Sequence, residues 1–451
     1  MPPNPIRVRK PPRSDRKSTP EKASSRPARD KAGKPAGKPA GRGTRPDRKT
    51  TEHRSRDRRR LPFSQENLAF RHEGDQGERL AEALRVPEGG GFAFTHGFHP
   101  WPGRFHSHLP RMLMDGLIAP DAVLLDPFMG GGTTLVEAVL SGRKATGNDL
   151  NPIATLVARE RTRPRTPEQA SRLTGEAERI AGLVEGLRRE KNPPRARLRN
   201  FQRLTPHYQP HLLAEMTQWI RLIQELPPGT ERESMQAVFS SAVVKFSNQL
   251  SDSRKESSPP SYPKGAVSRF MMAKTTELAE GQFFLGRKMA APPEITLLQE
   301  DARLLPSLGW GTFDVILTSP PYPGTYDYHD QHRLRMDWLE LEGGETFETE
   351  EIGARRQESG KAAERWSSAI ADVLSTFARV LKPGGQALVV LGDWLVDGHP
   401  VDAAEALRRM AAAKGWQVVS RASVQRGVYS RSEKKAWSKK GKWEHLLMLT
   451  R

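Results

Sequence analysis

The chain contains no cysteine in 451 residues. Disulfides, thiolate metal sites and thiol nucleophiles are therefore excluded. No run of 18 or more apolar residues occurs, so no segment is long enough to span a membrane as a helix. The first residues lack the apolar core of a secretory signal, and a cytoplasmic location is expected. Apolar residues make up only 36%, which predicts that part of the chain does not pack.

Positive charge is abundant but unevenly placed. The net charge is +19, and residues 1–60 hold 21 Lys/Arg against 6 Asp/Glu. The remainder is only mildly basic. The leading segment, including "KAGKPAGKPAGRGTRPDRKT", is rich in Pro, Gly and charge and has almost nothing to bury. It reads as a disordered tail, expected to bind nucleic acid phosphates without reading sequence, with a merely solubilising tail as the alternative.

Beyond residue 60 the pattern changes. "LPFSQENLAFRHEGDQGERLAEALRV" reads as a short helical lead-in. A Pro- and aromatic-rich loop, "THGFHPWPGRFHSHLPR", enters a helix near Leu109–Leu117. Short apolar runs then alternate with helical stretches: "AVLLDPF", "TTLVEAVLSG", "KATGNDLNP", "IATLVARERTR". Thr134 and Glu137 have the spacing of a capping box. Residues 159–293 interrupt this rhythm with charged, helical patterning and read as an insertion. Alternation resumes with "EITLLQEDARLL" and "FDVILTSPPY", and later "QALVVLGDWL", a helix, "WQVVSRASVQRG" and "WEHLLMLTR". Strand–helix alternation predicts an α/β fold: a mostly parallel, doubly wound sheet with helices on both faces. The last two strands, joined without a helix, predict an antiparallel edge. Four parts follow: a tail (1–60), a first half of the sheet domain (61–158), a helical insertion (159–293) and a second half (294–451).

In doubly wound sheets a ligand sits at the carboxyl ends of the strands, where strand order reverses. "DPFMGGGTT", Asp126 to Thr134, ends one strand and opens a helix. Its glycines allow close backbone approach to a polar ligand. The stretch is neither the dinucleotide fingerprint nor a P-loop, because the third spaced glycine and the Gly-Lys-Ser/Thr ending are missing. Asp149 ends the next strand, where a carboxylate can accept both hydroxyls of a ribose. Asp301 follows the third, beside Glu300, where it could meet an adenine amino group. "TSPPY", Thr318 to Tyr322, ends the fourth. Its prolines stiffen the loop and remove donors, leaving a Ser oxygen and carbonyls to accept hydrogen bonds. "SSPPSYPKG" at 257–265 has nearly the same letters but follows no apolar strand, and reads as a plain loop.

Together these segments resemble the S-adenosylmethionine-dependent amino-group DNA methyltransferases, the cytosine-N4/adenine-N6 family. "DPFMGGGTT" is similar to that family's cofactor loop at Asp126, Pro127, Phe128, Gly130, Gly132, Thr133 and Thr134. "TSPPY" is similar to its catalytic loop at Ser319, Pro320, Pro321 and Tyr322. "HPWPGRFHSHLPR" resembles its cofactor element before the first strand, with Phe105 retained, Trp101 as the aromatic and Arg104 in place of Lys. Asp149 and Asp301 match its acidic positions. The resemblance covers about 94–158 and 294–451. It implies a Rossmann-like class I methyltransferase fold and S-adenosylmethionine as cofactor. It further implies a double-stranded DNA substrate with one base flipped out, within a restriction-modification system. The order of the halves and the place of the insertion depart from many relatives, so residues that read sequence cannot be carried over.

The implied chemistry is methyl transfer to an exocyclic amino nitrogen. Methylation at cytosine carbon five needs a cysteine nucleophile and is excluded. Ser rather than Asp at 319 tilts the target to cytosine N4, with adenine N6 or an RNA amino group as alternatives. A silent nucleic-acid-binding protein is the non-enzyme alternative. His96, His99, His106 and His108 lack a convincing ligand set, so no metal is expected. Lining of the cofactor pocket or contact with nucleic acid suits them better. The basic and aromatic stretch "QRGVYSRSEKKAWSKKGKW" is either a contact for phosphates or a flipped base, or a plain exposed basic hairpin loop.

Overall fold

The computed structural model describes residues 68–451, apart from 88, 90, 192–196, 252–253, 256–260, 290, 325, 355–361, 397, 429–430 and 439–440. The basic tail lies outside the described residues, as do Ser257–Pro260 of the second Pro-Pro loop.

The chain begins with β1 (Phe70–Glu73) and α1 (Gly77–Leu84), then α2 (His108–Gly116). The predicted helical lead-in is thus corrected to a strand followed by a helix. β1 pairs antiparallel with a strand from the far end of the chain, so its partner could not be read locally. Next come β2 (Leu124–Asp126), α3 (Thr133–Leu140), β3 (Ala145–Asn148) and α4 (Pro152–Thr162). The helices α5 (Pro167–Leu187), α6 (Phe201–Leu204), α7 (Pro210–Gln224), α8 (Thr230–Phe246) and α9 (Ala266–Arg287) follow. Between α8 and α9 lies a small hairpin, β4 (Gln249–Ser251) and β5 (Arg254–Lys255). The sheet resumes with β6 (Ile295–Leu298) and β7 (Phe313–Thr318). Three helices come next: α10 (Tyr328–Leu339), α11 (Gly344–Glu350) and α12 (Ala362–Val380). β8 (Leu381–Gly392) leads to a hairpin, β9 (Trp394–Val396) and β10 (His399–Val401). The chain ends with α13 (Ala403–Ala412), β11 (Gln417–Arg426), α14 (Arg431–Ala436) and β12 (Lys442–Thr450).

Eight strands form one sheet in the order β1-β11-β12-β8-β7-β2-β3-β6. The five from β8 to β6 run parallel to one another. β12, β11 and β1 are added antiparallel. The chain moves outward from β2 through β3 to β6, then returns to place β7 on the other side of β2. The reversal of strand order therefore falls between β2 and β7, the position at which doubly wound sheets bind ligands. The fold is a Rossmann-like class I methyltransferase sheet with helices on both faces.

Burial follows the period of two expected of strands covered on both faces. Leu125, Ile316, Val389 and Leu447 pack with Trp366, Val373 and Phe377 of α12 and Leu407 of α13. Their strand neighbours Leu124, Leu317, Val390 and Leu446 turn to the other face, against Leu80, Leu113 and Leu135 of α1 to α3. A third core is built mainly from helices and holds Trp219, Phe239 and Trp338. It draws on α10 and α11 as well as α4 to α9. The helical layer is thus assembled from two separated stretches of chain. Among the described residues no helix is long and apolar enough to cross a membrane.

Candidate active site

β2 and β7 end side by side, and their last residues are joined. Thr318 Oγ1 donates to Asp126 Oδ1 at 2.7 Å, and the Phe128 amide donates to the same oxygen at 3.2 Å. Asp126 is buried, and burial pushes its carboxyl up to about 6 although both bonds favour the charged form. The loop that follows turns back through Gly130 and Gly132, both left-handed at φ 49° and 78°. A Cβ at Gly130 would fall 2.7 Å from Trp101 Nε1, so the loop carries no side chain there because Trp101 lies against it.

Asp149 directly follows β3 and braces the same loop. Its Oδ2 accepts the Gly130 amide at 2.9 Å and its Oδ1 the Asn151 amide at 2.9 Å. Burial raises this carboxyl to about 7, and the neighbouring charges of Asp126 and Glu351 add to the rise. Asn148, one residue earlier, ties three strand ends together. Its amide donates to the carbonyls of Pro127 at 3.2 Å and Glu300 at 2.9 Å, and its oxygen accepts the Glu300 amide.

These groups line one cleft of about 880 Å³, open solvent at its mouth included. Phe105, Asp126, Pro127, Phe128, Gly130, Thr133, Asp149, Asp301, Ser319 and Pro321 all lie on its wall. Trp101 and Arg104 lie there too, with Glu300 beside Asp301. Asp301 does not present free oxygens: Arg303 grips both, at 2.9 and 2.8 Å through Nε. Gly132 and Thr134 sit behind the loop, buried at the start of α3. Tyr322 turns away from the cleft wall toward the end of β8. A Cβ at Gly392 would fall 2.9 Å from its ring, and its hydroxyl stands 3.5 Å from Ser319 Oγ. Burial raises the Tyr322 phenol, keeping it neutral.

Several groups were not legible as site residues. Glu137 does not close a capping box, since Gly132 caps α3 without a side-chain bond. It is buried instead, bonded to His96 Nε2 at 2.8 Å and to Arg111 at 3.0 Å. Burial works against its charge, but His96 and Arg111 outweigh this and hold its carboxyl low. His96 and His99 are therefore corrected from pocket or nucleic acid contacts to internal braces. Burial lowers both imidazoles below their ordinary range. His99 bonds to the Pro100 carbonyl and to Ser240 Oγ on α8. His106 Nδ1 accepts the His108 amide at 3.1 Å.

Arg161 on α4 is fully buried behind the loop. It donates to Gly131 O at 2.7 Å, His99 O at 2.6 Å and His96 O at 3.2 Å. No sequence pattern marks it. Phe347, Glu350, Glu351 and Ile352 supply the facing wall from α11 and the turn after it, again without a sequence signal. Glu351 also accepts the amides of Tyr328 and His329, capping α10 at 2.7 and 3.2 Å.

Elsewhere among the described residues, Asp393, Asp402 and His445 bring three metal-type ligand atoms within 4.8 Å. Protein groups engage them. Asp393 accepts the Ala403 and Trp443 amides and meets His445 Nε2, while His445 Nδ1 meets Ser423 and Asp402 caps α13. The cluster is a structural tie between β8, β11, β12 and α13.

The strand order is that of a Rossmann-like class I methyltransferase fold. No protein-family model matches the chain. It is 25% identical over 265 residues to the Type II methyltransferase M.MvaI of Kocuria varians, covering 55% of this chain and 58% of that protein. It is 32% identical over 95 residues to the Type II methyltransferase M.MjaII of Methanocaldococcus jannaschii, covering 21% and 17%. The chain therefore spans less than two thirds of either relative. These matches bear out the likeness to the amino-group DNA methyltransferase family carried by the two loops. Similar solved structures include TrmN from Thermus thermophilus, at 13% identity, TM-score 0.32, covering 78% of this chain and 50% of that one. The rRNA methyltransferase aviRa from Streptomyces viridochromogenes gives 13%, 0.31, 82% and 95%. The fold assignment rests on strand order, not on these distant likenesses.

Proposed function

We propose that the chain is an S-adenosylmethionine-dependent DNA methyltransferase that acts on the exocyclic amino group of a flipped base, cytosine N4. The observation that carries this reading is the junction of β2 and β7. It brings Ser319 and Pro321 into the same cleft as the glycine loop, Asp126 and Asp149.

The cleft fits the cofactor. Gly130 and Gly131 lie on its wall with Trp101 packed against the loop, Asp149 stands at a strand end suited to ribose hydroxyls, and Phe105, Phe128, Phe347 and Ile352 offer apolar walls for a flat base. Asp301, held by Arg303, suits orienting that base less directly than a free carboxylate would. When bound, S-adenosylmethionine supplies a methyl group on an electrophilic sulfonium. The protein's own task is to prepare the nucleophile. An aromatic amino nitrogen is weakly nucleophilic because its lone pair is delocalised into the ring. Acceptance of its two hydrogens by Ser319 Oγ and the Pro320 carbonyl favours a pyramidal, more nucleophilic nitrogen. Tyr322, beside Ser319 but outside the lining of the cofactor cleft, is the candidate stacking face for a base that enters from the β8 side. Catalysis is then mainly positioning and electrostatics.

The relatives' Type II character supports DNA as substrate and a role as the modification partner of a restriction nuclease. Residues 159–293 are the candidate target-recognition region. The test is incubation with methyl-labelled S-adenosylmethionine and either DNA or RNA, followed by nucleoside analysis. Label in N4-methylcytosine supports the reading in full. Label in N6-methyladenine moves the target base, and label in RNA alone moves the substrate. No label in either, from folded protein, refutes the enzyme.

A further inference from the structure

The catalytic loop has a particular problem of support. Pro320 and Pro321 carry no N–H, so two consecutive residues cannot be held by donating hydrogen bonds. They are held by packing and by what donates to their carbonyls. One such donor is present: Trp366 Nε1, on α12, bonds to the Pro321 carbonyl at 2.8 Å. Trp366 is buried, at 2% exposure. Trp394 packs on one side, ring centroids 4.8 Å apart at 56°. Gly353 lies on another, where a Cβ would fall 3.0 Å from Trp366 Cδ1 and 3.4 Å from Pro323 Cα. The indole is thus flanked by Trp394 and by the Gly353 backbone while it bonds to the loop.

The backbone transmits this hold. Ser319 and Pro320 each precede a proline, which confines both to extended conformations, and the two proline φ angles are fixed. The segment from Ser319 to Pro321 is therefore stiff, and holding its last carbonyl orients the one before. Among the described residues no group donates to the Pro320 carbonyl.

We propose that Trp366 is the positioning residue of the amino-group acceptor site: it occupies the Pro321 carbonyl and thereby presents the Pro320 carbonyl and Ser319 to the substrate amino group. This inference rests on the methyltransferase reading above. It assigns a role to a residue of α12, 45 positions beyond the loop in the chain. Trp366 touches neither substrate nor cofactor in this role.

The test compares Trp366→Phe with Trp394→Phe in the full chain. Both keep an aromatic ring and lose similar volume, but the Trp394 indole nitrogen is buried with no protein partner among the described residues. Hydrogen exchange by mass spectrometry is read on the peptide spanning 317–327 and on that spanning 124–134. Methylation turnover and cofactor affinity are measured on the same preparations. Trp366→Phe is expected to speed exchange in 317–327 about tenfold or more and to leave 124–134 unchanged. Its turnover is expected to fall by about 10- to 100-fold, the scale of a small misplacement of a reacting group, with cofactor affinity within about twofold of the parent. Trp394→Phe is expected to change none of these by more than about twofold. Unchanged exchange in Trp366→Phe overturns the proposal. So does a loss of cofactor affinity in step with turnover, or equal damage in Trp394→Phe. If the parent protein methylates no nucleic acid, the proposed function fails, and the exchange comparison still decides the tether. If Trp366→Phe does not fold, the parent decides it: an indole N–H at Trp366 exchanging as slowly as the β7 amides supports the tether, and rapid exchange overturns it.

Discussion

Replacing Arg161 with Met should loosen the cofactor loop and lower stability together. The guanidinium is fully buried and bonds to three carbonyls, at 2.7 Å (Gly131), 2.6 Å (His99) and 3.2 Å (His96). Among the described residues no carboxylate bonds to it. Burial, reinforced by the charge of nearby Arg104, lowers its pKa well below that of a free guanidinium. Removing it leaves the Gly131 and His99 carbonyls without that donor, while His96 keeps Arg104 at 2.5 Å. A buried carbonyl left unpaired costs about 1–3 kcal/mol. Two of them would cost roughly 2–6 kcal/mol, offset in part because the variant no longer buries a cation. A net loss of about 2–4 kcal/mol is expected, read from the midpoint of urea unfolding. Cofactor affinity measured by calorimetry should fall at least about tenfold, since the loop, Trp101 and the segment 96–104 lose their common anchor. Arg161→Lys should recover little, because a single ammonium cannot match the spread of the guanidinium donors. A Met variant within about 0.5 kcal/mol of the parent and with unchanged cofactor affinity would refute this reasoning.

Cofactor affinity should rise with pH through about 7, because Asp149 is raised to about 7 by burial and must be ionised to accept hydroxyl hydrogens. In the unliganded fold the sign for stability is opposite. A carboxyl raised from its ordinary value near 4 stabilises the fold while protonated, and that contribution is lost as pH climbs toward 7. Calorimetry between pH 5.5 and 8.5 checks the first point, and Asp149→Asn should flatten the curve apart from the weaker share of Asp126. Ser319→Ala should lower turnover by about 10- to 100-fold with cofactor affinity little changed, whereas Asp149→Ala should chiefly weaken cofactor binding. Steady-state kinetics with both substrates varied distinguish the two. Deleting residues 1–60, which carry a balance of +15, should weaken nonspecific DNA binding and flatten its dependence on salt while leaving turnover on saturating DNA unchanged.

Local chemistry made both loops readable. "DPFMGGGTT" and "TSPPY" each combine a strand's apolar run with residues of fixed backbone preference, so type and spacing carry the geometry. Phe105, Asp126, Asp149 and Asp301, far apart in the chain, line one cleft. Local spacing misled where a distant partner won. Thr134 and Glu137 have the interval of a capping box, but Glu137 is claimed by His96 and Arg111. The segment at 70–73 reads as part of a helix, but an open sheet edge at β11 pairs with it. The histidines of "THGFHPWPGRFHSH" suggest ligands or pocket walls, yet two of them are interior braces.

The sequence alone determined the absence of thiol chemistry, the charge imbalance of the tail, the α/β class and the two loops at strand ends. These properties depend on composition or on residues close in the chain. Only the tertiary structure decided that Thr318 meets Asp126, that Arg161 anchors Gly131, that α11 closes the cleft and that Trp366 grips Pro321. Such contacts join residues up to 192 positions apart. Their energetics come from burial of polar groups, which demand partners wherever the folded chain supplies them.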